Sequence, residues 1–259
     1  MQDITESRDR AIRKQQWIFG EKLYRLGDPY TWMDGEDNPK MMFEGSQAIG
    51  FLQYLSMFFD YFQTPKDIIT DDYDEMKTHI ESVLKESFEH FLPFLDPHNN
   101  DFEKYILCTA VVRLQDYCFI RTFCRELAQR SINHLDVGPG LGCSSIYSMK
   151  GFNSCYYALE AVPRLYSVRR DFFRFLSKRD SLYIDLIECE NMGLEVNPSI
   201  HNDNKFRIKH IPSWHFDAID KESIDLVTGT WVLNELTVSG ALWIMSHLLI
   251  GTFIFLLIF

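Results

Sequence analysis

The hydrophobic pattern changes character once along this chain, near residue 131. Before that point apolar residues recur three and four apart, the spacing that lines one face of a helix. Over residues 9–26, Ile12, Trp17, Ile18, Leu23 and Tyr24 alternate with charges at this interval and predict a helix. Gly27, Asp28 and Pro29, and then the run 34–39, are rich in turn formers and predict a loop. Residues 45–63 predict an apolar helix carrying Phe51, Phe58, Phe59 and Phe62, stopped by Thr64 and Pro65. Its aromatic stripe reads as core. Residues 71–95 are amphipathic through Met76, Ile80, Val83, Leu84, Phe88 and Phe91. The acidic start at Asp71, Asp72, Asp74 and Glu75 suits the positive end of a helix dipole better than a metal. A further helix is expected over about 101–130, after the break at Pro97.

From Ser131 onward short apolar runs alternate with helical ones. Strands are expected at 132–137, 155–159, 183–188, 206–211 and 224–229, with a helix beginning over 144–149 and a basic amphipathic helix over 163–176. The strands are too apolar for one wet face, which predicts a mostly parallel sheet covered by helices on both sides. The expected architecture is therefore α/β, Rossmann-like and doubly wound over 131–259, preceded by an all-helical region over 1–130.

Residues 236–259 contain no Asp, Glu, Lys or Arg. With 206–211 and 224–229 counted as strands three and four, 237–250 would be a helix and 251–259 a fifth strand, buried on both faces and so uncharged. The sheet order would then be 3-2-1-4-5. The rival reading is a membrane helix over 241–259, long enough to be a candidate. Against it, Gly251 and Thr252 fall mid-span and no basic flank is present.

Composition narrows the chemistry. Of 259 residues, 46% are apolar and 15% aromatic, enough for a sizeable core. A net charge of −11 and a pI near 5.2 argue against a nucleic-acid binder, which normally presents a basic face. The six cysteines lack CxxC or metal-ligand spacing and read as reduced, mostly buried thiols of a cytoplasmic protein. The N-terminus stays charged and shows no signal peptide.

The richest segment is His134-Leu135-Asp136-Val137-Gly138-Pro139-Gly140-Leu141-Gly142. Glycines let a backbone turn sharply after a strand and approach a ligand closely. Amides at the following helix start can hold a ligand carboxylate. A dinucleotide fingerprint would space its glycines G-x-G-x-x-G, so the nicotinamide reading loses ground. Glu160 ends the next strand and offers two acceptors to two adjacent hydroxyls.

The order Asp-x-Gly-x-Gly-x-Gly resembles the first motif of class I S-adenosylmethionine (SAM) dependent methyltransferases. With Trp231-Val232-Leu233-Asn234-Glu235-Leu236 further on, the wording is similar to bacterial sugar O-methyltransferases. The resemblance covers roughly 131–236. It implies SAM as cofactor, held by Asp136, Gly138, Pro139, Gly140, Gly142 and Glu160, with Ser213 or Trp214 near the adenine and Thr230 near the methionine end. It implies Asp225 as a structural acid opening a strand, and the helical region as a cap on the acceptor side. A full domain of this class has seven strands, so the chain reads as shortened after strand five, with an apolar sheet edge that invites pairing with another chain.

The implied reaction is methyl transfer to a hydroxyl of a sugar or glycoconjugate. Glu235, His215 and His247 are the candidate bases; no carboxylate pair argues for a metal. The alternative is a non-catalytic SAM- or nucleoside-binding remnant, attached to a membrane by its C-terminus in one version.

Overall fold

A computed structural model of the chain describes residue 6 and residues 66–91, 102–160, 163–179, 183–193, 206–220, 223–229 and 253–255. The expected helices over 9–26, 45–63 and 237–250 lie outside these. The described elements fall into two compact units, one helical and one built on a sheet.

The helical unit contains α1 (Tyr73–Phe91), α2 (Phe102–Phe123), a 3-10 turn over Arg125–Gln129 and α3 (Ser144–Phe152). Met76, Ile80, Val83 and Leu84 are buried on α1, the three-and-four spacing read from the sequence. The single helix expected over 101–130 ends earlier, because Cys124 leaves helical geometry at φ −124° and ψ 54°. The acidic run before α1 also has a partner on α2. Asp72 accepts from the Tyr117 hydroxyl at 2.5 Å and lies 3.5 Å from Arg121. Burial pushes the Asp72 carboxyl up, but these contacts and the Thr70 hydroxyl bring it net below its ordinary range.

The sheet unit contains β1 (Asn133–Val137), β2 (Cys155–Glu160), α4 (Pro163–Ser177), β3 (Tyr183–Asp185), α5 (Leu186–Asn191), β4 (Ile208–Pro212), β5 (Leu226–Thr228) and β6 (Phe253–Phe255). All strand pairs are parallel, and the order is β3-β4-β2-β1-β5-β6. The architecture is α/β and doubly wound, as the alternation of elements predicts. The five-strand order is retained from β4 through β6, with one correction: β3 adds a sixth strand beside β4. The strand expected over 183–188 stops at Asp185, whose carboxylate accepts from the amides of Ile187 at 2.9 Å and Glu188 at 3.3 Å and so starts α5. Pairing of Phe253–Phe255 with β5 places these residues in the sheet, against a membrane helix running through 259. Among the described residues no helix is long and apolar enough to cross a membrane.

The two sheet faces differ. One is an apolar core of Leu135, Val137, Tyr157, Leu159, Ile211 and Val227, closed by Phe216, Ile219 and Ile224. The alternate positions put His134, Asp136, Tyr156, Glu160, His210 and Thr228 on the other face, all buried. Buried polar groups require hydrogen-bond partners, and these come from one another and from α4. Among the described residues the cysteines are thiols, with Cys118, Cys124, Cys143 and Cys155 buried and Cys189 half-buried.

Candidate functional site

The site is built at the carboxyl ends of β1 and β2, beside the point where the strand order reverses between β1 and β5. In a doubly wound sheet that crevice is where ligands bind. Asp136, near the end of β1, accepts from the Tyr156 hydroxyl at 2.5 Å and the Thr228 hydroxyl at 2.8 Å. It therefore ties β1 to both neighbours. Thr228 spends its one proton on Asp136, so its oxygen accepts from His134 Nε2 at 2.7 Å. Burial lowers the His134 pKa to about 4, against the pull of Asp136, and the ring is neutral with its proton on Nε2.

Thr228→Val would remove a hydrogen-bond partner from both Asp136 and His134. Each buried polar group that loses a partner costs about 1–3 kcal/mol. We expect Thr228→Val to lower unfolding stability by about 2–4 kcal/mol, read from the urea midpoint; a loss under about 0.5 kcal/mol would mean that the clamp is not formed.

Beyond Val137 the chain turns through Gly138, Gly140 and Gly142, with φ of 61°, 57° and 82°. These left-handed values explain why glycine stands at these three places. The Gly138 amide donates to the Leu159 carbonyl at 2.9 Å, and the Gly142 amide donates to the Pro139 carbonyl at 2.8 Å. A Cβ on Gly140 would meet open space, whereas one on Gly142 would lie 2.7 Å from the Phe173 ring. Within one loop, Gly140 is open and Gly142 is packed.

Glu160, 4% exposed at the end of β2, is held by Arg169 of α4, whose Nη2 donates to Oε2 at 2.6 Å. The same guanidinium donates to the Gly140 carbonyl, from Nε at 2.8 Å and from Nη2 at 2.5 Å. Its Nη1 lies 3.4 Å from His210 Nε2, which is an acceptor towards Arg169, so the proton of the neutral ring sits on Nδ1. That nitrogen lies 3.3 Å from the Tyr183 hydroxyl, which donates to Asp185 at 3.0 Å. Tyr166 stacks on the His210 ring at 3.5 Å and donates to Asp185 at 2.6 Å. Donation thus runs in one direction, from Arg169 through His210 and Tyr183 to Asp185. Burial lowers the His210 pKa to about 4, with Asp185 pulling the other way. Burial raises the Asp185 carboxyl, yet His210 and the two tyrosine hydroxyls bring it net below its ordinary range.

The structure brings the glycines and Glu160 together through Arg169. Ser213, Trp214 and His215 lie on a 3-10 helix, Ser213–Ala218, that directly follows β4. Because Pro212 pairs with Glu160, Ser213 leaves the sheet beside that carboxylate. The Trp214 ring is packed with Tyr166 and Ile187 and is 8% exposed, which is a core placement rather than an open platform. His215 is half-buried, with Nε2 3.2 Å from Glu190. Asp225 accepts from the Asn133 amide at 2.7 Å, joining the start of β1 to the segment before β5. Thr230, Glu235 and His247 lie outside the described residues. Among the described residues, no group of three His, Cys, Asp or Glu could hold a metal ion.

Arg169 is the site residue that pattern reading passes over. Its signal is positional: it stands three residues after Tyr166 and four before Phe173, on the buried stripe of α4.

No family model and no curated protein matches the chain. Among solved structures, the geranyl diphosphate C-methyltransferase from Streptomyces coelicolor A3(2), with Mg2+, geranyl diphosphate and S-adenosyl-L-homocysteine, is 13% identical. The similarity has a TM-score of 0.30 and covers 68% of this chain and 53% of that one. Coclaurine N-methyltransferase bound to N-methylheliamine and SAH is 11% identical, with a TM-score of 0.34 over 84% of this chain and 60% of that one. The E81Q mutant of MtNAS is 10% identical, with a TM-score of 0.30 over 88% and 71%. This chain thus spans a little over half the length of the two methyltransferases.

Proposed function

We propose that the chain is a SAM-dependent methyltransferase, with a hydroxyl of a sugar or glycoconjugate as acceptor. One observation carries the cofactor part: three left-handed glycines at the end of β1 are joined through Arg169 to a buried carboxylate, Glu160, at the end of the adjacent parallel strand. The open side of Gly140 lets a ligand lie against the backbone, and a carboxylate suits a vicinal diol. SAM would supply an electrophilic methyl group on a sulfonium. The chain's own task is then alignment, with general-base help for a hydroxyl acceptor. Gly138, Pro139, Gly140 and Gly142 would hold the methionine end, Glu160 the ribose, Ser213 the adenine edge, and Thr230 the acceptor-side junction. Asp136 would act from beneath the loop, through Tyr156 and Thr228. His215, already paired with a carboxylate, and Glu235 are the proposed bases. The sugar acceptor rests on the wording of the sequence at 135–142 and 231–236.

Calorimetry with S-adenosylhomocysteine tests the cofactor reading. A micromolar Kd is expected for the wild type, about −8 kcal/mol. Glu160→Gln is expected to weaken binding by about tenfold, or 1.4 kcal/mol, through the lost charge-assisted bonds. A folded, monodisperse wild type that binds no S-adenosylhomocysteine would overturn the reading. Binding of a nicotinamide dinucleotide instead would move the site to hydride transfer. Binding without turnover on any sugar acceptor would leave a non-catalytic domain.

A further inference from the structure

We propose that Arg169 is a positioning residue of the nucleoside site, which sets the glycine loop through the Gly140 carbonyl and holds the Glu160 carboxylate in register for a diol. The inference rests on the cofactor reading above. Arg169 is completely buried, and an arginine out of water needs its donors matched by fixed acceptors. It finds them in the Gly140 carbonyl, Glu160 Oε2 and His210 Nε2. Two of these belong to the ligand-facing parts of the site, on separate segments of chain. A planar fork bonded to both fixes their separation, which a lysine with one ammonium could not do as well. Arg169 also pairs the buried Glu160 carboxylate with a cation, Nη2 lying 2.6 Å from Oε2. A neutral ion pair beside the loop then favours a neutral diol over a cationic group.

Several groups face the pair. From α4, Tyr166 stacks on the His210 ring. From β4, His210 touches Nη1, and from β3, Tyr183 and Asp185 stand behind His210. From β1, Asp136 shares the sheet face, with its oxygens on the Tyr156 and Thr228 hydroxyls. His210, whose pKa burial lowers to about 4, is neutral at pH 7, so the guanidinium meets no second cation there.

The experiment is S-adenosylhomocysteine calorimetry on the full chain. The samples are wild type, Arg169→Gln, Arg169→Lys, Glu160→Gln and the double variant Arg169→Gln/Glu160→Gln. In Arg169→Gln affinity should fall at least tenfold, because loop and carboxylate lose the fork that fixes their separation. Arg169→Lys should recover part of that loss but stay about threefold to tenfold weaker than wild type. The double variant should be weaker than Arg169→Gln by less than the factor that Glu160→Gln costs alone, because the two residues act as one unit. A merely structural arginine would give losses that multiply. Wild-type affinity in Arg169→Gln, or fully multiplicative losses in the double variant, would overturn the proposal while leaving the cofactor reading intact. Absence of binding in wild type would overturn both. If Arg169→Gln fails to fold, Arg169→Lys decides it: a weakened, folded lysine variant supports the proposal and wild-type affinity overturns it.

Discussion

Taken from pH 7 to pH 4, the protein is expected to lose roughly 6 kcal/mol of unfolding stability through two histidines. His134 and His210 are completely buried, and burial lowers both pKa values to about 4 from an ordinary 6.5. Between those values the unfolded chain binds more protons than the folded one, so stability rises with pH across the window. The penalty is absent above about pH 6.5 and grows as pH falls, reaching roughly 3 kcal/mol for each histidine near pH 4. The geometry gives the same sign. His210 can accept from Arg169 only while Nε2 is bare, and protonation would set a second cation 3.4 Å from the guanidinium. Asp185 and Asp72, whose carboxyls sit net low, add to the loss at still lower pH. Urea midpoints at pH 7, 6, 5 and 4 measure the effect. His210→Gln and His134→Gln should each flatten part of the slope, and a flat curve in the wild type would contradict the neutral, buried assignment.

Valine at Gly142 should destabilise the fold, while valine at Gly140 should act mainly on the site. Both positions have positive φ, where a β-branched residue is strained by about 1–2 kcal/mol. At Gly142 the added Cβ also lies 2.7 Å from Phe173 and 3.1 Å from Arg169 Cδ. Phe173 cannot swing away, because its fully buried ring packs edge-on against Tyr156 and His210. Overpacking adds about 1–3 kcal/mol, for a total of about 2–5 kcal/mol and a Tm lower by about 5–15 °C. At Gly140 no atom beyond its chain neighbours lies within 4 Å of the added Cβ, so Tm should fall by only a few degrees. Open space there is where the cofactor is proposed to lie, so S-adenosylhomocysteine affinity should fall at least a hundredfold, or about 2.7 kcal/mol. Thermal melts and calorimetry on the two variants separate the effects. Unchanged affinity in Gly140→Val would remove the loop from the proposed site.

The sequence by itself determined where α1, α3 and α4 and the longer strands β1, β2 and β4 fall, because their periods of 3.6 and 2 are local properties of each segment. It located the glycine turn after β1 and the acid ending β2 for the same reason, since a left-handed turn selects glycine wherever it occurs. It also determined that the sheet is parallel and covered on both faces, through strands too apolar to be half-wet. What it could not determine were relations between segments. The edge position of β3 is one, because a strand's place in the sheet is set by its partner, here β4, and not by its own residues. The end of that strand is another, set by Asp185 turning to cap α5. Asp136 reads as a ligand-facing acid until register brings Thr228, 92 residues away, onto one oxygen and Tyr156 onto the other. Arg169 reads as one more charge on a basic helix until α4 is laid on the sheet, where Gly140, Glu160 and His210 meet its donors. Only the tertiary structure decides whether a polar side chain faces water or a partner, because its burial is tolerable only where distant acceptors and donors have already been brought into place.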